Sequence, residues 1–316
     1  MKRRRPRLLA IESAFPGANV MLRLLEPPGS CREKLREQVY SGSYDKPFVV
    51  DTGTRRFLHF DFAAVQSAME MSNPGRLTLA YTRKMMAFLL FNRAPERILL
   101  LGLGGGSLAK FCCANLPAAS VTAVESNRDV IALRGEFGIP ADDHRFRVVH
   151  ADGAAYVSAL TRCKDVILAD ACDRSGLAAE IDSIEFYRKA RGRLTPCGVF
   201  AINLCGDRVS IATHLSKLRD AFEGELLALR VQSDSNLIVF GFRGRRPDRH
   251  WEQIESGAPE LRRRFRLDFP RYASRIVRDS KLLSSQSLSA KSSRASGAPT
   301  SRRASAIASI DPESVR

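Results

Sequence analysis

Residues 97–108 read RILLLGLGGGSL: a short apolar run, a cluster of glycines broken once by Leu103, and Ser107 at the head of a helical stretch. The run is too short for a buried helix and its glycines prevent continuation, so it predicts a strand entering a tight turn that opens a helix. Working outward, the pattern repeats. SVTAV at 120–124 is followed by NRDVIALRGEF, FRVVH at 146–150 by GAAYVSAL, KDVILAD at 164–170 by SIEFYRKARGRL, and CGVFAINL at 197–204 by SIATHLSKLRDAF. Near-continuous apolar strands separated by helix-length segments predict parallel strands covered on both faces, a doubly wound α/β sheet. Two more β-rich runs, ELLALRVQS and NLIVFGF, are joined by a turn at 234–236 and predict an antiparallel pair at one edge, for seven strands in all.

The flanks differ in kind. Residues 1–40 form a basic extension with a Pro-Pro-Gly turn at Pro27–Gly29 and a short charged helical stretch, and are left unassigned. From Phe48 to Phe62 two β-rich runs surround a Thr-Gly-Thr turn, and an apolar helix is predicted over 78–91, so 41–95 reads as a small β-rich entry region. The α/β domain spans 96–242. Residues 243–279 form a basic extension with room for one or two short surface helices. Residues 280–316, dominated by Ser, Ala and Arg, are expected to be disordered because they hold almost no large apolar side chains.

The chain has 316 residues, 44% hydrophobic and 27% charged, values of a globular protein. The longest apolar runs are stopped by glycines far short of a bilayer span, so no membrane partner is expected. The net charge of +16 lies at the ends: residues 1–7 carry five cations and no acid, and 243–316 carry 17 cations against 8 acids. The body from 8 to 242 balances 28 cations against 26 acids, which argues against a phosphate-tracking groove. Nucleic acid is expected to bind only non-specifically, through the basic tails. Seven cysteines without C-x-x-C spacing, and an N-terminus whose apolar stretch is broken by Glu12, predict a reduced, cytoplasmic protein. The five histidines show no ligand spacing, so no metal is expected.

The chemistry-bearing residues recur at strand ends. Gly102, Gly104 and Gly106 let a ligand approach backbone and helix amides, although a bare strand-to-helix turn reads the same way. Glu125 ends the second strand about 20 residues on, where a carboxylate can accept both ribose hydroxyls. Asp152 follows the third strand and serves either an adenine edge or as a helix N-cap. Asp170 and Asp173 follow the fourth strand. Paired acids suit binding a cationic amine or taking its proton; the plain alternative is a capped loop with a solvated Asp173.

The succession ILLLGLGGGSL, AVES, ADGAAY, ILADACD and EFYRKARGRLTPCGVFAIN resembles the spermidine synthase family of polyamine aminopropyltransferases. The resemblance spans about 55–242, roughly 60% of the chain, and implies the class I AdoMet-methyltransferase fold, which is Rossmann-like. It further implies an aminopropyl group moved from decarboxylated S-adenosylmethionine to an amine acceptor, as in polyamine biosynthesis. By position, Glu125 would hold the ribose, Asp152 the adenine, Gln66 a place near the donor, Asp170 the base or amine anchor, and Asp173 a second acceptor carboxylate. Tyr81 matches the tyrosine of a Tyr-His-Glu segment lining the polyamine site. Two positions depart from the pattern. Gly104 stands where the family carries an aspartate for the donor's ammonium, and Tyr81-Thr82-Arg83 replaces Tyr-His-Glu, which either places the Arg83 cation where an acid should meet the amine or turns it out to solvent. Intact S-adenosylmethionine therefore remains open as donor, a methyltransferase or a silent nucleoside-binding protein remain alternative readings, and a homo-oligomer is compatible with the sequence.

Overall fold

The computed structural model describes residues 8–14, 19–173, 176–231 and 236–285. Its first unit is an antiparallel meander in chain order, of β1 (Leu9–Glu12), β2 (Met21–Leu24), β3 (Phe48–Asp51), β4 (Arg55–His59) and β5 (Val65–Glu70). Helix α1 (Arg32–Ser41) packs Leu35 and Val39 against Leu22, Leu24 and Phe48. The hairpin expected at 48–62 is β3–β4, turning at Gly53 with φ 81°. Residues left unassigned in the sequence supply two of these strands. Each has only four residues, with Arg23 and Glu12 among them, too short for alternation to stand out.

The apolar stretch expected as one helix divides into α2 (Ala80–Met85) and a 3-10 turn, Met86–Leu90, whose five side chains are all buried. The large sheet then follows with β6 (Arg97–Leu101), α3 (Ser107–Asn115), β7 (Ser120–Glu125), α4 (Arg128–Ala132), β8 (Phe146–His150), α5 (Gly153–Ala159) and β9 (Lys164–Ala169). A short hairpin of β10 (Cys172–Asp173) and β11 (Gly176–Leu177) leads to α6 (Ile184–Gly192), β12 (Leu194–Leu204), α7 (Arg208–Ala221), β13 (Leu226–Arg230) and β14 (Leu237–Phe242). Strand order is β13-β14-β12-β9-β6-β7-β8. β8, β7, β6, β9 and β12 are parallel, and β14 pairs antiparallel with both β12 and β13. This is the expected seven-stranded doubly wound sheet. Strand β6 shows why both faces are covered: Ile98 and Leu100 join α3 and the 3-10 turn on one side, and Leu99 and Leu101 join α5, α6 and α7 on the other.

Order reverses at β6, whose neighbours are β7 on one side and β9 on the other. This switch point is where open α/β sheets leave a crevice beyond the carboxyl ends of their strands. The small meander is fastened beside it by ion pairs. Asp51 takes Arg23 at 2.8 Å and Arg56 at 2.9 Å, and the same arginines reach Glu136 at 3.4 and 3.3 Å.

The basic extension is more than a surface addition. α8 (Trp251–Phe265) and α9 (Phe269–Ser285) bury Ile254, Leu261, Phe265, Phe269 and Ile276 in the main core. α9 also runs past residue 279, where the tail was expected to begin; the tail from 286 onward lies outside the described residues. No helix among the described residues is long and apolar enough to cross a membrane. Strand β13 would be an open edge, but Ser280 Oγ accepts from Ala228 N at 3.0 Å and Asp279 Oδ2 from Arg230 N at 2.9 Å. Asp279 is 3% exposed, so its removal orphans a backbone donor beneath a helix. Asp279→Ala should destabilise the protein by about 1–3 kcal/mol, measured by urea unfolding.

Candidate active site

A cleft of about 530 Å³ opens beyond the carboxyl ends of β6, β7 and β9, with β5 and α2 forming its other wall. Its geometry begins where two strand ends touch. Asp170 N donates to Leu101 O at 2.8 Å, and a Cβ on Gly102, which has φ 94°, would collide with the Asp170 carbonyl oxygen. Only glycine allows the first turn to pass so close to the fourth strand. Gly102 and Gly104 line the cleft. Gly106 does not: at φ 67° it caps α3, and its Cα faces Ile139, so its role is packing.

Glu125 stands at the end of β7 with both oxygens held by backbone. Leu103 N donates to Oε2 and Asn127 N to Oε1, each at 2.9 Å. The carboxylate is thereby rigid, with one further lone pair on each oxygen available to hydroxyl donors. Asp152 is the N-cap that one of its sequence readings expected. Oδ1 caps α5 by accepting from Ala155 N at 2.6 Å, and the residue also lines the cleft. Gln66 on β5 and Tyr81 on α2 line the opposite wall. Asp173 falls in β10 by its backbone, while its side chain lies outside the described residues.

Asp170 lies on the floor between these walls. Asn203 Nδ2 donates to its Oδ1 at 3.0 Å, and the Tyr81 hydroxyl also bonds to it. Burial pushes its carboxyl up to about 6, against the smaller opposing effects of Asn203 and Tyr81. An acid so placed is ionised at neutral pH yet close enough to its midpoint to take a proton.

Arg83 corrects an expectation. Its guanidinium donates from Nη1 to Leu77 O at 2.8 Å and Thr78 O at 2.6 Å, tying down the chain before α2, and it neither lines the cleft nor points to open solvent. Without that cation the electrostatics are one-sided. Asp61, Glu125, Asp152, Asp170 and Glu180 line the cleft, and no Lys, Arg or His does among the described residues.

Sequence reasoning missed Asn203, which bonds to Asp170, Asn236, which bonds in turn to Asn203, and Glu180 on the turn after β11. A polar residue closing an apolar run was the signal that found Asp170, and AIN at 201–203 carries the same signal on the neighbouring strand. Asn236 had none, since only the pairing of β14 with β12 brings it there.

Residues 78–217 match the family model of the spermine/spermidine synthase domain. A polyamine aminopropyltransferase of Chromobacterium violaceum is 35% identical over 229 residues, 72% of this chain and 88% of that protein. The human eEF1A lysine and N-terminal methyltransferase is 30% identical over 185 residues, 52% of this chain and 26% of that protein. In fold, a probable spermidine synthase from Corynebacterium glutamicum superposes with a TM-score of 0.53 at 16% identity, covering 78% of this chain and 87% of that one. A match over most of both lengths, on a sheet whose switch point carries the cleft, makes this chain a member of the spermine/spermidine synthase family of transferases.

Proposed function

We propose that the protein transfers an aminopropyl group from decarboxylated S-adenosylmethionine to an amine acceptor. The carrying observation is the cleft's charge: five carboxylates and no cation among its described lining residues. Such a cavity attracts a sulfonium donor and a protonated amine, and repels the carboxylate that intact S-adenosylmethionine carries. The rigid Glu125 carboxylate suits a ribose diol, Asp152 an adenine edge, and Gln66 the region near the donor. Tyr81 and Asp173 are assigned to the acceptor side.

In this reading Asp170 accepts a proton from the acceptor's ammonium. The freed nitrogen lone pair attacks the propyl carbon next to sulfur, the carbon–sulfur bond breaks, and methylthioadenosine leaves with that bond's electron pair. A bare carboxylate in water would be too weak a base. Here its midpoint near 6 brings it closer to the task, and the local negative field keeps the amine close. One observation favours a second reading, methyl transfer from intact S-adenosylmethionine: Gly104 lines the cleft where the family's aspartate would repel that donor's carboxylate.

Calorimetric titration with the two donors and with methylthioadenosine separates the readings. The decarboxylated donor should bind at least about tenfold more tightly than intact S-adenosylmethionine, and Gly104→Asp should widen the gap; a preference for the intact donor would overturn aminopropyl transfer. Glu125→Ala should weaken all three ligands by about 1.5–3 kcal/mol, the scale of hydrogen bonds to a charged group.

Asp170→Asn should leave donor affinity nearly unchanged and lower turnover by about 10²–10⁴. It should also stabilise the fold. A carboxyl raised from 3.8 to about 6 on folding makes the folded state bind more protons between those values, so stability falls as pH rises through that window. The variant removes this penalty. Because Asp170 keeps some access from the cleft, the gain should reach only about 1–2 kcal/mol above pH 7 and vanish below about pH 4, read by urea unfolding at several pH values.

A further inference from the structure

The floor of the cleft holds a relay of amides to which the transfer steps above assign no part. Asn203 lies near the end of β12, next to Ile202, which pairs with Ala169 of β9, so it stands alongside Asp170. It is only 2% exposed, and a buried amide must satisfy both of its ends. Nδ2 donates to Asp170 Oδ1 at 3.0 Å, and Oδ1 accepts from Asn236 Nδ2 at 2.9 Å. The direction of this chain follows from chemistry. An ionised carboxylate can only accept, so Asn203 must turn its NH₂ to Asp170 and its carbonyl to Asn236, which must then donate.

The surroundings give this relay its importance. From α2, Tyr81 presents a neutral hydroxyl to the Asp170 carboxylate, while Gly102, just after β6, lies against the Asp170 backbone carbonyl. The charged groups sharing the cleft, Asp61, Glu125, Asp152 and Glu180, are all acids. Among the described residues, therefore, the Asp170 charge is met by neutral dipoles alone. We propose that Asn203, keyed in orientation by Asn236, is a positioning residue that fixes the Asp170 carboxylate at the cleft floor and sustains its charge there.

The proposal rests on the reading of Asp170 as proton acceptor, and its test separates the two. Titration of Asp170 by carboxyl-carbon NMR needs no turnover. In Asn203→Leu, which keeps the volume and removes the amide, the midpoint should rise by about one pH unit, the equivalent of one lost charge-assisted hydrogen bond. Asn236→Ala, further from the strand core, should move it in the same direction by a smaller amount, and is decisive alone if the leucine variant does not fold. Affinity for methylthioadenosine should stay within about twofold in both, and the acid limb of kcat/KM for the amine should follow the NMR midpoint.

A midpoint that stays within about 0.2 pH units of wild type in every folded variant overturns the proposal. A raised KM for the amine with an unmoved midpoint also overturns it, making Asn203 a substrate contact. If the midpoint moves but the acid limb of kcat/KM does not, or the wild type turns over no amine, the relay stands and Asp170's assignment as the base fails.

Discussion

Two strand ends meeting almost without clearance set the rest of the site. Leu101 O accepts from Asp170 N, and the Gly102 backbone lies against the Asp170 carbonyl, with no room for a Cβ. That contact joins β6 to β9 at the point where strand order reverses, and it aligns the glycine turn, Glu125 and Asp170 along one rim. A side chain at position 102 would have to separate the strands, and with them the Glu125 carboxylate from the cleft-floor acid.

The molecule separates its charges sharply. Most of its positive excess lies in the first seven residues and beyond 242, whereas the cleft collects carboxylates. Concentrating acids in a partly dry cavity works against stability, as the raised Asp170 carboxyl shows. The structure limits the penalty with dipoles: two backbone amides for Glu125, a helix N-terminus for Asp152, and Asn203 with Tyr81 for Asp170. None of these partners carries a formal charge, so the cavity's negative field is left uncancelled by them.

The large sheet and its rim were legible because the same local signal occurs five times: an apolar run, then a polar or glycine residue, then a helix. Glu125 and Asp170 could be found from that signal alone. Arg83 was misread because type and position in a motif do not reveal rotamer, and its guanidinium turns back to the carbonyls of Leu77 and Thr78. The outer strands of the meander escaped because four residues cannot display a period. The hold of α9 on β13 escaped for another reason, since a hydrogen bond between residues 49 apart leaves no trace in local composition. Asp152 could not be divided between cap and cleft because it serves in one and lines the other.

The C-terminal clasp bears on how the chain is made. Synthesis proceeds from the N-terminus, so the small meander and all of the large sheet leave the ribosome before α9 exists. Until Asp279 and Ser280 arrive, β13 presents unpaired amides, and the 3-10 turn at Met86–Leu90 lacks the apolar cover of α8 and α9. The nascent chain thus passes through a stage with all of its described cleft-lining residues made and a sticky edge still bare, the kind of intermediate that pairs with other chains. Truncation before α9 would hold the protein at that stage, so the vulnerable step in its production is the interval between completing β14 and making α9.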